Sequence, residues 1–327
     1  MDLSSPRTRL LTLAACLLST TVALSQKSGP TFTVNEKDLS KHLSLIAYGD
    51  MRFTDPSNVT SADPKARVAL VNKIASEHPD AVQLTGDVPL AGGNKPDYAQ
   101  YGIETEVWRT AKLRIYPALG NHEFAPKSNP KEAALENWWS AFPELRGMRW
   151  YSVALGRRVY LLQLDSNSDL TPGSEQRIWL EDQVSHLDPA VDFVFVALHH
   201  PPVADIQQHI EVDHNPRPNE ISLMDYLNGV APTAHARFIV TAGHIHNYER
   251  FEQSGVVYLV SGGGGAHPYF VERTKDDLYQ DPNFPIFHYI KFTLEGKAMK
   301  ATMYRIADPT AAKPDWQAKD SFAVTAK

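Results

Sequence analysis

Leu43-Ser44-Leu45-Ile46-Ala47-Tyr48-Gly49-Asp50 is a short apolar run that ends on a glycine and a carboxylate. A run of this length closed by glycine reads as a buried strand. The same punctuation returns downstream. Residues 81–84 lead to Gly86-Asp87, and residues 113–118 lead to Gly120-Asn121-His122-Glu123. Residues 191–198 lead to His199-His200-Pro201, and residues 236–240 to Gly243-His244-Ile245-His246. After the first strand, residues 66–77 carry Val68, Leu70, Val71, Ile74 and Ala75 at helical spacing; residues 175–185 read as another helix. Strands alternating with helices indicate α/β packing, in which ligands bind outside the carboxyl ends of the strands. Polar residues delivered from separate strand ends can therefore meet at one spot.

The remaining apolar segments, 150–155, 158–164, 256–260, 287–294 and 298–305, look like strands of a second sheet, with Glu295-Gly296 as a hairpin turn. No repeat and no low-complexity linker interrupts the chain. One domain is expected over residues 30–308, followed by a polar C-terminal tail, 309–327. Trp138, Trp139 and Phe142 close a helical segment and read as packing residues.

Residues 1–25 begin with Arg7 and Arg9, continue through an apolar stretch and end on small residues, which describes a signal peptide cleaved before Gln26. The apolar stretch falls short of the roughly 20 residues a membrane span needs. Leu13-Ala14-Ala15-Cys16 has the form of a lipoprotein processing box, so anchoring through Cys16 is the minor alternative to a secreted or periplasmic chain. Cys16 is the only cysteine, so no disulfide can form within the chain and stability must come from a core. Removal of the signal leaves about 300 residues, enough for one large domain. A formal charge of −6 without a Lys/Arg block gives no footprint for nucleic acid. No second apolar segment could span a membrane, and nothing in the sequence sets the oligomeric state.

Asp50, Asp87, Asn121, His199, His244 and His246 form the candidate metal-binding set. Divalent or trivalent ions of the Fe, Mn or Zn kind take mixed carboxylate and imidazole ligands, and a carboxylate can bridge two of them. Each residue alone has a plainer reading. Asp50 or Asp87 could cap a helix, Asn121 could shape a turn, and His199 could be a core histidine. Together, with glycines before Asp50, Asp87, Asn121 and His244 to let the backbone turn, they read as one site.

The ordered blocks Gly49-Asp50, Gly86-Asp87, Gly120-Asn121-His122-Glu123, His199-His200-Pro201 and Gly243-His244-Ile245-His246 resemble those of calcineurin-like metallophosphoesterases. The longer run Gly243-His244-Ile245-His246-Asn247-Tyr248-Glu249-Arg250, and the glycines of 261–265, are similar to purple acid phosphatases. The resemblance implies an α/β fold of four layers, a β-sandwich with helices on both outer faces. It implies Asp87 as the bridging carboxylate, with Asp50 and His246 on a first metal and Asn121, His199 and His244 on a second. It implies hydrolysis of a small phosphate ester by a metal-bound hydroxide. His122 would lie beside the phosphate, and His209 or His200 would supply a second non-ligand imidazole. Phosphomonoesterase is the first expectation. A phosphodiesterase or nucleotidase on the same core is the alternative, and an exported binding protein with impaired turnover is the rival from another class.

Two positions depart from these relatives. Purple enzymes carry a tyrosine three residues after the bridging aspartate, where this chain has Leu90, so the tyrosinate–iron colour should be missing. The broader family carries a histidine two residues after the first aspartate, where this chain has Arg52. Arginine is permanently charged and cannot ligate. It can present a guanidinium fork to phosphate, or it can pair with a surface acid.

Overall fold

Every apolar run singled out above lies in a strand of the structure, a computed structural model that describes residues 29–207, 214–281 and 287–327. The amino-terminal stretch read as a signal peptide, with Cys16, lies outside the described residues, as does His209. In chain order the strands are β1 (Phe32–Val34), β2 (Ser44–Tyr48), β3 (Ala81–Leu84), β4 (Ile115–Pro117), β5 (Tyr151–Leu155), β6 (Val159–Gln163) and β7 (Phe193–Ala197). They continue as β8 (Arg237–Ala242), β9 (Tyr248–Gln253), β10 (Val256–Ser261), β11 (His288–Glu295), β12 (Ala298–Ile306) and β13 (Trp316–Thr325). The helices are α1 (Pro64–Ser76), α2 (Lys95–Glu104), α3 (Glu106–Thr110), α4 (Lys131–Ala141), α5 (Glu175–Ser185) and α6 (Pro218–Val230). Helix α1 starts where Asp63 accepts from the amides of Lys65 and Ala66 and Pro64 presets the first turn.

Two sheets result. One runs β1-β5-β6-β7-β8-β10-β9, the other β13-β12-β11-β2-β3-β4. The expected division of strands was wrong: β5, β6 and β10 join β7 and β8, while β11 and β12 join β2 and β3. Apolar periodicity reports burial, not which neighbour a strand pairs with. The expected polar tail is also corrected, because residues 316–325 form β13 and close one edge of the second sheet against β12. Its alternation of exposed and half-buried side chains leaves a weak apolar signal.

Phe195 of the first sheet meets Phe292 of the second edge-on, with centroids 4.9 Å apart, in the core between them. Leu161 and Ile239 point into that core, while Leu162, Val194, Val196 and Phe238 point the other way and pack on Trp179 of α5 and Leu223 of α6. A sheet covered on both faces explains the unbroken apolar strands. Across the sandwich, Leu70 and Ile74 of α1, Trp108 of α3, and Trp138 of α4 cover the second sheet, giving the expected four layers. Trp138 and Phe142 are core residues, and the Trp139 indole donates to the Met148 carbonyl.

Asp320 of β13 ties the two sheets at their edge. It accepts from the Tyr248 hydroxyl at 2.8 Å and from Arg250 Nε at 2.7 Å, both on β9. Hydrogen bonds to a charged partner contribute about 1.5–3 kcal/mol. Asp320→Ala should therefore lower stability by roughly that amount in urea unfolding. An unchanged midpoint would show that β13 docks without this clamp.

Candidate metal centre

β2, β3 and β4 run parallel in one sheet, as do β7, β8 and β10 in the other, and the candidate side chains leave from the carboxyl ends of these strands. Asp50, Arg52, Asp87 and His244 all have positive φ, at 63°, 49°, 53° and 71°. Backbone held in this region costs of order 1–3 kcal/mol per residue and persists where surroundings enforce it. Gly86, at φ 94°, passes so close to Gly120 that a Cβ would sit 2.7 Å from its amide and 2.8 Å from the His199 ring. A Cβ on Gly262 would strike the Ile245 carbonyl. That close approach accounts for the glycines after β10.

Four donors face one another from four loops. His199 Nε2 lies 3.0 Å from Asn121 Oδ1, 3.2 Å from Asp87 Oδ1 and 3.3 Å from His244 Nδ1. His244 Nδ1 lies 3.1 Å from Asn121 Oδ1. His199 Nδ1 donates to the Thr85 carbonyl at 2.9 Å, which leaves Nε2 as a lone pair. Lone pairs pointed at each other repel unless a proton or metal lies between them. With ligand bonds of about 2.0–2.1 Å, neighbouring ligands of one ion stand about 3.0–3.4 Å apart, so this spacing fits a single ion.

A second group lies beside it. Asp50 Oδ1 is 3.4 Å from His246 Nε2, and Asp50, Asp87 and His199 offer ligand atoms all within 4.8 Å of one another. His246 Nδ1 donates to the His267 carbonyl at 2.7 Å, aiming Nε2 inward. His246 Nε2 and Asp87 Oδ2 are buried without any hydrogen-bond partner. Buried polar atoms left so are costly, and an ion touching both would satisfy them. Asp87 belongs to both groups, with Oδ1 on His199 and Oδ2 left without a hydrogen bond near Arg52 and His122.

Protonation states suit this role. Burial, followed by Arg52, pushes His246 down to about 3; burial, followed by His199 and His214, pushes His244 down to about 2. Both imidazoles are thus held neutral, as metal ligation requires. Burial, reinforced by the Asp87 charge against the opposing pull of His199, pushes Asp50 up to about 7. Burial acts on Asp87 in the same sense, but His199, His122 and Arg52 outweigh it and hold its carboxyl well below the usual range.

Arg52 turns inward. Its guanidinium lies 3.6 Å from Asp87 Oδ2 on the inner side of the loop, so it is not a surface ion-pair partner. His122 donates from Nδ1 to the carbonyl of Leu90, leaving Nε2 3.8 Å from Asp87 Oδ2 at the open side. His200 is placed differently from the expected imidazole at the phosphate. It is buried, with Nδ1 on the Ser166 hydroxyl at 2.8 Å and its ring 4.4 Å from that of His244, so it positions a neighbour.

Tyr269 and Glu123 were not read from the sequence as contributors. Tyr269 stacks on His246 at 4.0 Å and on His214 at 5.0 Å, and His214 Nδ1 meets His244 Nε2 at 3.0 Å. Glu123 accepts from the amides of Asp87, Val88 and Gly120, tying two ligand loops together. Its place in Gly120-Asn121-His122-Glu123 was the available signal; Tyr269 had none. Asp165 supports the site from behind: it pairs with Arg149 and accepts from Asn167, whose side-chain amide reaches the Leu119 and Gly120 carbonyls.

A family model described as calcineurin-like phosphoesterase matches residues 47–248. Probable purple acid phosphatase 20 of Arabidopsis thaliana is 29% identical over 219 residues, covering 62% of this chain and 48% of that protein. The structure of purple acid phosphatase PPD1 from yellow lupin (Lupinus luteus) seeds superposes with a TM-score of 0.68 at 18% identity, covering 88% of this chain and 54% of that one. A dimetal phosphatase from Danio rerio superposes with a TM-score of 0.52 at 12% identity, covering 87% and 99%. These structures share the fold. The chain spans about half the length of the plant phosphatases it matches.

Asp87→Ala should cut bound metal, measured by elemental analysis, to well below half of the wild-type content, because it removes the carboxylate common to both donor groups. A full complement in the variant would place the bridge elsewhere.

Proposed function

Since this chain belongs to the calcineurin-like phosphoesterase family, we propose that it is a phosphatase, hydrolysing small phosphate monoesters at the cluster between Asp50 and His246. The convergence of His199, Asn121, Asp87 and His244 at ligand spacing is the observation that carries this reading. Asn121, His199 and His244 would hold one ion of the Fe, Mn or Zn kind, Asp50 and His246 another, and Asp87 both. Such ions supply an activated water and polarise the phosphoryl oxygens.

The chain's own residues supply the rest. Arg52, turned inward beside Asp87, directs its N–H groups to a phosphate oxygen. His122 gives its Nδ1–H to the Leu90 carbonyl and turns Nε2 to the open side, where the imidazolium form passes a proton to the departing ester oxygen. His199 and His246 are oriented through carbonyl bonds to their far nitrogens, which fixes their tautomers. His209, which lies outside the described residues, stays a candidate second imidazole by its sequence position alone.

Export is part of the same proposal. It rests on the signal-like residues 1–25, and among the described residues no helix is long and apolar enough to cross a membrane. Terminal sequencing of exported protein should begin at Gln26; a lipidated Cys16 would contradict it.

The purified enzyme should hydrolyse a chromogenic monoester faster than the matched diester, and chelation should abolish both activities. His122→Ala should lower turnover about 10²–10⁴-fold with bound metal retained. Loss of metal in step with activity would instead make His122 a ligand. Absence of monoester turnover in the metal-loaded wild type would refute the phosphatase reading.

A further inference from the structure

A cleft of about 950 Å³ opens directly from Asn121 and His122. One wall carries Phe124, Lys127 and Lys131, and the other carries Asn167, Arg217 and Pro218. In a chain with a formal charge of −6, its charged lining is three cations and one carboxylate, Asp169. That carboxylate already accepts from the Thr171 amide and hydroxyl. Arg217 is engaged as well, by both oxygens of Glu220 and by the Ser166 carbonyl.

Lys127 and Lys131 are different. Among the described residues neither is paired with a carboxylate, and the Lys131 ammonium stands 5.9 Å from the Phe124 ring centroid, inside the cleft wall. Lys131 also occupies the first turn of α4, where the helix dipole disfavours a cation. The helix therefore gains nothing from its charge, and its positive end adds to the potential of that wall.

We infer that the preferred substrates are monoesters whose leaving alcohol carries a second phosphate or a carboxylate, received by Lys127 and Lys131. The inference rests on the phosphatase reading and concerns which ester that site takes. With the scissile phosphate at Arg52 and Asp87, its ester oxygen faces His122 and the alcohol extends into the cleft. Phe124 and Pro218 cover its carbon skeleton, and the lysines meet its far anion. In the reaction the ester P–O bond breaks and the oxygen of water bonds to phosphorus. A proton passes to the alkoxide, and the second anion leaves unchanged on the alcohol.

Matched pairs test this. Glucose 1,6-bisphosphate against glucose 6-phosphate adds a phosphate, and 3-phosphoglycerate against glycerol 3-phosphate adds a carboxylate. The wild type should favour the more anionic member of at least one pair by roughly tenfold in kcat/KM, as expected for two exposed charge contacts acting together. Which pair responds identifies the anion. Lys127→Ala/Lys131→Ala should remove the preference through KM, leaving kcat/KM for the simple esters within about twofold, and raised salt should weaken it in the wild type. No preference in the wild type, or a preference that survives in the double variant, overturns the inference. If the wild type hydrolyses none of the four esters, the phosphatase reading fails first and this inference with it.

Discussion

Asp50 and Asp87 are two fully buried carboxylates whose ligand atoms lie within 4.8 Å of each other. Water is excluded from both, and buried like charges are strongly unfavourable unless paired. Much of the surrounding structure offsets this one repulsion. The His244 amide donates to Asp50, the His122 amide donates to Asp87, and Arg52 brings a full positive charge to 3.6 Å from Asp87. Asp87 Oδ2 still lacks a hydrogen-bond partner, and His246 Nε2 beside Asp50 lacks one too. Cations seated at this donor spacing would complete the balance.

The sandwich makes that concentration of charge possible. Parallel strands in two facing sheets deliver their carboxyl ends to one rim, and covered sheets keep the loops from relaxing. Glu123 locks the Asp87 and Gly120 loops through three amides, and the four positive-φ side-chain positions are held against their intrinsic preference. Ions bound there would offset this strain and the unpaired atoms. Ions that bind only the folded state add to its stability in proportion to their affinity.

The strand ends were legible because a strand that stops at Gly-Asp or Gly-His places a polar side chain where the chain leaves the sheet, at the carboxyl edge. All six metal-ligand candidates follow from that punctuation together with residue type, and the structure brings all six together. Sheet membership was not legible. Apolar runs such as 158–164 and 298–305 look alike, yet one pairs with β7 and the other with β11. Strand β13 escaped notice because its apolar residues are spread among polar ones, although Trp316, Phe322 and Val324 pack on the core. Arg52 and His200 show the limit for single side chains. The first turned inward to Asp87, and the second turned to Ser166, through loop conformations that neighbouring residues in sequence do not encode. Tyr269 reaches His246 across 22 intervening positions of irregular and strand backbone, so only the folded loop reveals it.

The central claim is that these residues hold two metal ions. Calorimetric titration of the chelator-stripped full chain with Mn²⁺ or Zn²⁺ tests it most directly. The account predicts saturation at two equivalents per chain. Saturation at one equivalent would assign the Asp50 and His246 position to Arg52 alone, and no saturable binding would contradict the metal centre altogether.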